Sequence, residues 1–400
     1  MASEWKNVRA ADFIEFNPRL SIKKGAMATK IAMDKLQPFT KKVPATEQAE
    51  YAGGTKFCNG DTIMARITPC LENGKTAFVD VLADGEIAFG STEFIVMRAR
   101  PGVSDPQFVY YLATSPMFRN VAIKSMVGSS GRQRVQQGVL EELELTVPPL
   151  DEQKKIGAFL AVLDQKIELN CKINDNLLEQ LNALYQELST RDTWDMQPIG
   201  DLAEKIAMGP FGSNIKVSTF VPFGVPIISG NHLRGLFLEE PSYNYITEEH
   251  AEKLKNSIVY PGDVIFTHAG NIGQVAMIPG GCDYSKYVLS QRQFYLRCNT
   301  QKILPEYVTL FFHSREGQHE LLSYANQTGV PSIAQPASNL KKISLPVPPI
   351  TIQEEWAVIV RPIVAQYQKN KLEIRCLSSI RDTLLPKLIS GEIDISGIDI

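Results

Sequence analysis

Apolar positions along residues 150–192 recur at alternating steps of four and three. Ile156, Leu160, Leu163, Ile167, Asn170, Asn174, Leu177, Leu181, Leu184 and Leu188 fall on one line. This is coiled-coil spacing. At ~1.5 Å per residue the helix would reach ~60 Å, longer than an ordinary globular helix. Its stripe must be covered, because each fully buried apolar side chain is worth roughly 1.5–3 kcal/mol. A second seam appears on adding 200 to the numbering: Trp356, Val360, Ile363, Tyr367, Asn370, Ile374, Leu377, Arg381, Leu384 and Leu388. Arg381 is its one charged member. An antiparallel pair set flush would place Ile156 against Leu388, Leu188 against Trp356 and Asn174 against Asn370. Amides in a seam hold the register, since slippage would strand them in apolar surroundings. Pro362 predicts a kink or a late start in the second helix, 350–390, and Ser390-Gly391 its stop.

The segments before the helices repeat as well. Thr146-Val-Pro-Pro-Leu-Asp-Glu-Gln153 parallels Leu345-Pro-Val-Pro-Pro-Ile-Thr-Ile-Gln353. Gly60-Asp61 before Thr62–Ala65 parallels Gly262-Asp263 before Val264–Thr267, each a turn and then an apolar strand. Phe94–Arg98 parallels Phe294–Arg297, and Pro106 and Pro305 each open a helix rich in aromatic residues. The predicted class is α+β: two similar mixed domains, 1–149 and 193–349, separated by two long antiparallel helices, 150–192 and 350–390, with a tail at 391–400.

Composition is that of an ordinary globular chain, 44% hydrophobic and 21% charged over 400 residues. No apolar run nears the ~20 residues that cross a bilayer and no leader pattern is visible, so a cytoplasmic protein without membrane contact is expected. Six scattered cysteines suit a reducing compartment and burial as small apolar groups. A net charge of −3 argues against nucleic-acid binding through bulk charge.

Catalytic constellations fail on inspection. Gly74-Lys75-Thr76 has Pro69 where a phosphate-cradling loop needs glycine. The Pro-Pro pairs follow Val rather than the Asn or Asp that would hold a target amine, so they read as hinges. The five histidines lack metal-ligand spacing, and His313 with His319 reads as a solvated helix face. Asp164 and Lys166 read as surface charges on the long helix.

Binding is the remaining class. Two similar domains on a stiff spacer suit two separated half-sites, because major-groove faces of duplex DNA recur at ~34–36 Å. Candidate contact loops in the first domain carry Arg66, Asn73 and Lys75, then Ser129, Arg132, Gln133 and Arg134. In the second they carry Ser213, Asn214 and Lys216, then His268 and Asn271, with Arg292, Gln327 and Ser332 nearby. Arg reads guanine, Asn and Gln read adenine, and Gly and Ser let backbone approach phosphate. Lys23-Lys24 and Lys41-Lys42 read as solvated faces or phosphate contacts. The competing classes are a protein scaffold with two interaction domains and a nuclease or methyltransferase with a divergent site.

The helix entries Val147-Pro-Pro-Leu-Asp-Glu-Gln153 and Leu345-Pro-Val-Pro-Pro349 with Gln353, the terminal Leu384-Leu-Pro-Lys-Leu-Ile-Ser-Gly-Glu-Ile393 and the Gly209-Pro-Phe-Gly-Ser213 loop together resemble the specificity subunits of type I restriction–modification systems. The resemblance spans essentially the whole chain; Thr351-Ile352 departs from the acidic pair usual before the glutamine. It implies two target-recognition domains, each reading half of a bipartite site in double-stranded DNA. It also implies helices that dock two methyltransferase (modification) subunits, with restriction/translocase subunits completing the complex. S-adenosylmethionine and ATP would then serve the partner subunits, with no cofactor and no catalysis in this chain. Enclosing methyltransferases would supply the positive surface that this chain lacks.

Overall fold

The computed structural model of the chain describes residues 5–129, 131–239, 242–326, 329–395 and 397, with the backbone alone at Ser213. It divides into two compact units, Met1–Lys172 with Asn370–Ile400, and Ile173–Lys369. Each unit therefore contains half of each long helix.

The two units share one topology. In the first, an antiparallel sheet orders Ile14–Phe16, Phe94–Ala99, Thr62–Ala65 and Thr76–Phe78. A second sheet orders Glu47–Glu50, Met27–Ile31, Ala88–Gly90 and Lys56–Phe57, its middle strands parallel. A ribbon joins Lys6–Arg9 to Glu144–Val147. The second unit repeats this with Ala203–Met208, Gln293–Cys298, Val264–Thr267 and Val275–Met277. Its other sheet again holds one parallel pair, Val225–Ile228 beside Tyr287–Leu289, and its ribbon joins Met196–Pro198 to Ser344–Pro346. The helices Pro106–Thr114 and Pro305–His313 cover equivalent sheets.

The repeated Gly-Asp has a physical cause. Gly60 and Gly262 turn the chain at φ +89° and +94°, in the left-handed region that glycine enters without a Cβ clash. The next carboxylates, Asp61 and Asp263, are buried at 1% exposure. Each accepts a backbone N–H, from Cys58 and Tyr260 at 2.8 and 2.9 Å, and a two-pronged guanidinium, from Arg98 and Arg297 at 2.7–2.8 Å. A charge so buried persists only with such satisfaction.

The repeated glutamine anchors each long helix. Gln153 Oε1 accepts from the Asp105 N–H at 3.0 Å, while its Nε2 donates to the carbonyls of Val103 and Pro148. Gln353 does the same with the Leu304 N–H and the carbonyls of Lys302 and Pro348. Both amides are essentially fully buried. One side chain thus ties the helix start, the Pro-Pro hinge and the loop before the preceding helix together.

The central helix runs Leu150–Thr190 and the C-terminal helix Ile350–Ile389. In the first unit Ile156 and Leu160 share a core with Leu385, Leu388 and Ile389, with Leu163 and Leu384 packed at its margin. In the second, Leu181, Tyr185 and Leu188 share a core with Trp356, Val360 and Tyr367, joined by Leu177, Leu184 and Ile363. Early residues of one helix meet late residues of the other in each unit, so the halves pair antiparallel. Ile167 and Leu377 are half-buried. Of the seam amides, Asn174 donates to the Tyr367 carbonyl at 3.3 Å and Asn170 to Glu373 at 3.0 Å; Asn370 is buried as well. The Trp356 indole donates to the Leu184 carbonyl at 3.1 Å.

Several expectations are corrected. The C-terminal helix starts at Ile350 and runs on across Pro362 rather than starting late: Pro362 and Val358, whose carbonyl it leaves without its usual helical donor, lie on an exposed face, where such a loss costs least. Asp164 is no surface charge. It accepts the Arg381 guanidinium at 2.7 Å and the Tyr111 hydroxyl at 2.6 Å, with side chains only 11% and 17% exposed for Asp164 and Arg381. The charged exception in one seam is thus matched by an acid that flanks the other, next to Leu163. Lys41 is not solvated either, packing against the rings of Phe78, Tyr110 and Tyr111. His313 donates from its ring to the Val275 carbonyl at 2.7 Å instead of facing only water. Among the cysteines Cys298 alone is fully buried, while Cys171 and Cys376 are exposed on the long helices.

Replacing Gln153 by Ala strands the Asp105 N–H and two carbonyls, and should cost on the order of 3 kcal/mol, read from the denaturation midpoint. Gln353→Ala should cost the same. A loss confined to one of them would contradict the equivalence of the two anchors. Arg381→Leu alone should cost roughly 3–5 kcal/mol by isolating Asp164, and adding Asp164→Val should recover most of the loss.

Candidate nucleic-acid interface

Backbone hydrogen bonds bring the two candidate loops of the first unit together. Arg66 N–H donates to the Glu93 carbonyl, Val135 N–H to Arg66, and Thr68 N–H to Gln133, at 2.8–3.0 Å. The second loop folds on itself through Arg134 and Val127, which exchange both backbone bonds at 2.9 and 3.0 Å. At its tip, the Arg132 N–H reaches the Ser129 carbonyl. Gly128 and Gly131 take φ +137° and +78° there.

The side chains divide into held and free. Arg134 is locked by Glu93, its Nε and Nη2 reaching the carboxylate at 2.7–3.0 Å, and this draws the Glu93 pKa below the usual carboxylate value. Arg66 gives Nη2 to the Val135 carbonyl, and its buried Nε has no hydrogen-bond partner among the described residues. Lys75 donates to the Met33 carbonyl at 3.0 Å. Arg132, Ser129 and Asn73 are exposed, and Gln133 is half-buried. Arg132 has no side-chain partner among the described residues, so it is the guanidinium of this cluster ready to meet a ligand.

In the second unit the loop from Gly209 to Lys216 sits beside Gln291, which donates to the Gly212 carbonyl and whose own carbonyl accepts from the His268 ring at 3.1 Å. Asn214 offers its carbonyl to the His250 ring at 2.8 Å. The His268 and Arg292 backbones are bonded at 2.9 Å. The loop at Pro331–Ile333 joins them: Gly270 N–H donates to Pro331, and Ile333 N–H to His268. His268 and Ser332 are half-buried, and Asn214, Lys216, Asn271 and Arg292 are exposed. The Ser213 side chain and Gln327 lie outside the described residues.

Sequence reading missed two features here. Phe211, at 74% exposure, projects from the Gly-Pro-Phe-Gly turn, where a short loop has no core to receive a ring. An aromatic residue inside a Gly-Pro turn was the available signal. Beneath the loops lies a polar floor: Gln293, 1% exposed, accepts from Ser290, and Thr267 donates to Gln274 at 3.3 Å. Its members are scattered in sequence and became visible only through folding.

No helix among the described residues is long and apolar enough to cross a membrane, and no group of His, Cys, Asp or Glu among them could hold a metal ion. A model of the type I restriction modification DNA specificity domain matches residues 2–179 and, a second time, 191–374. The chain belongs to the type I restriction–modification DNA specificity family. Among members of that family, the MjaVIII specificity subunit of Methanocaldococcus jannaschii is 20% identical over 416 residues, covering 99% of this chain and 94% of its own. The EcoAI specificity subunit of Escherichia coli is 33% identical over 157 residues, 39% of this chain. The chain spans 26% of the length of the EcoAI and EcoEI subunits in those matches. The crystal structure of a type I restriction-modification system S subunit from M. genitalium shares the fold, with a TM-score of 0.60 at 15% identity over 97% of this chain and 96% of that one.

In this specificity-family chain the Arg134–Glu93 pair sets a pH signature. The bonded carboxylate favours its charged form, so its contribution is full above the normal glutamate pKa and fades as pH falls through the lowered value. Carboxyl NMR titration of Arg134→Ala should move the Glu93 pKa upward, toward an ordinary glutamate. An unchanged titration would mean that the pair does not persist in solution.

Proposed function

We propose that this chain is the non-catalytic DNA-recognition subunit of a type I restriction–modification complex. Residues 1–149 and 193–349 each read one half of a bipartite site in duplex DNA. The helices 150–192 and 350–390 set the number of unread base pairs and dock two methyltransferase subunits, with restriction subunits joining that assembly. Methyl transfer from S-adenosylmethionine and ATP-driven translocation belong to those partners. The observation that carries this reading is that a DNA specificity domain matches twice, once for each structural repeat.

The loops support it chemically. In each repeat, polar side chains rise from loops whose backbones are bonded to one another, which is how a groove-reading surface is kept rigid. We assign base reading first to Arg132 and Gln133 in the first repeat, and to Asn214, Asn271 and Arg292 in the second. Lys75, Lys216, Ser129 and Ser332 are assigned to phosphate contact. Arg66, Asn73, Arg134 and His268 complete the loops that carry these residues.

A footprint of the chain reconstituted with its modification subunits should show two protected blocks separated by a stretch of unspecified sequence. One continuous specified block would refute the bipartite reading. Arg132→Ala should weaken binding by roughly 1–3 kcal/mol and relax selection in only one block. Equal relaxation in both blocks would remove Arg132 from the readers.

A further inference from the structure

The Lys41 ammonium has an unusual position. It donates to Gln107 and, at 3.1 Å, to the Tyr111 oxygen. The Tyr111 hydroxyl hydrogen is already given to Asp164, and Asp164 is neutralised by Arg381. The neighbouring Lys42 is paired with Glu168. Lys41 therefore sits in a ring-walled box with neutral hydrogen-bond partners, while the carboxylates nearest to it are engaged or act from a distance. Beside it opens a cavity of about 340 Å³ that reaches Ser378 and whose wall sets Asp80, Asp164 and Glu168 against Lys42 and Arg381. That volume lies at the low end of those that hold small molecules.

The second repeat shows what this position does when it serves packing alone. Phe78 N–H donates to the Lys41 carbonyl at 2.8 Å, and Met277 N–H to the Leu236 carbonyl at 2.9 Å, so Leu236 is the structural equivalent of Lys41. Around it, Leu310 replaces Tyr111, Val364 replaces Asp164 and Leu181 replaces Arg381. The corresponding cavity shrinks to about 10 Å³. Glu306, paired with Arg361 at 3.1 Å, stands in the place of Gln107, but the groups around Leu236 itself are apolar and close the space, so the open cavity of the first repeat is not required by the fold.

We propose that Lys41 is a nucleophilic lysine and that the cavity beside it admits a small acyl phosphate, which acylates it. The nitrogen lone pair attacks the acyl carbon, the carbon–oxygen bond to phosphate breaks, and phosphate leaves with that electron pair. The nitrogen loses its proton to water, leaving a neutral amide and inorganic phosphate. The surroundings favour this product, because an amide removes a charge from a desolvated box. Burial lowers the Lys41 pKa to about 8, outweighing the fields of Asp164, Asp80 and Asp105. At pH 8 about half of these amines are therefore neutral, against roughly one in three hundred for an ordinary lysine.

The test is a time course of the full folded chain with acetyl phosphate at pH 8, read by peptide mass spectrometry. Lys41 should be acetylated roughly tenfold or more faster than the exposed Lys23, Lys24 and Lys124. Its rate should rise with pH about a midpoint near 8. The advantage should vanish in denaturant. Ser378→Trp, which fills the cavity, should slow Lys41 while leaving Lys124 unchanged. Modification of folded Lys41 no faster than the surface lysines overturns the proposal, as does selectivity that survives unfolding or is indifferent to the filled cavity.

Discussion

The structure depends on one constraint: a helix some forty residues long cannot leave an apolar stripe in water. The chain meets this constraint twice. In one unit the early turns of the central helix are covered by the late turns of the C-terminal helix, and in the other the late turns by the early ones. Each stripe is also wider than a two-position seam. Tyr185, Ala161 and Leu385 are buried beside the heptad positions, because each helix end packs into a domain core as well as against its partner. The Gln153 and Gln353 amides then fix how each helix leaves its domain, and they do so at the two hinges where proline has already removed backbone freedom.

Within this apolar cover the polar exceptions supply specificity. Buried amides at Asn170 and Asn174, and the Asp164–Arg381 pair, add little net stability over apolar residues of the same shape. Their value lies in the penalty for error, since a helix displaced by one turn would leave an amide or a charge without a partner in a dry interface. Leu181 and Val364 mark the equivalent positions of the other repeat, so the two ends of the helix pair are chemically unlike. Exchanging one end for the other would put Arg381 against apolar side chains. The asymmetry thus discriminates between repeats that otherwise share one topology.

Legibility in the sequence followed the range of the interaction. The duplication could be read because its determinants are local: a glycine that must turn, an acid next to it that accepts from the turn backbone, a proline that opens a helix, and a heptad that repeats. The long helices were legible for the same reason. The late start expected from Pro362 did not occur, because the proline lies on an exposed helix face where a missing donor costs little, and exposure is a tertiary property. Asp164 and Lys41 were misread as solvated because their partners come from distant segments and each looks like an ordinary surface residue beside its own neighbours; the seam placed Arg381 correctly but could not name its partner. The candidate loops were picked out as polar, glycine-rich stretches, but only folding separated a guanidinium held by Glu93 from one that is free.

The way these loops are held bears on how such a protein can change what it reads. Thr68 with Gln133, Val135 with Arg66, Gly270 with Pro331 and Ile333 with His268 are all joined through backbone groups. Such bonds form whatever side chains the loops carry, so side-chain identity there is nearly independent of the fold. The glycines at 128 and 131 extend this freedom, since the turn they make does not depend on their neighbours. Contrast the Asp61–Arg98 and Asp263–Arg297 pairs beneath, where charged side chains are built into the frame and neither can be altered alone without stranding a buried charge. A frame fixed by side chains and a surface fixed by backbone lets the residues proposed to read DNA vary without refolding the domain that presents them. The free Arg132 beside the locked Arg134 shows both states within one loop, and replacing Glu93 would convert the second into the first.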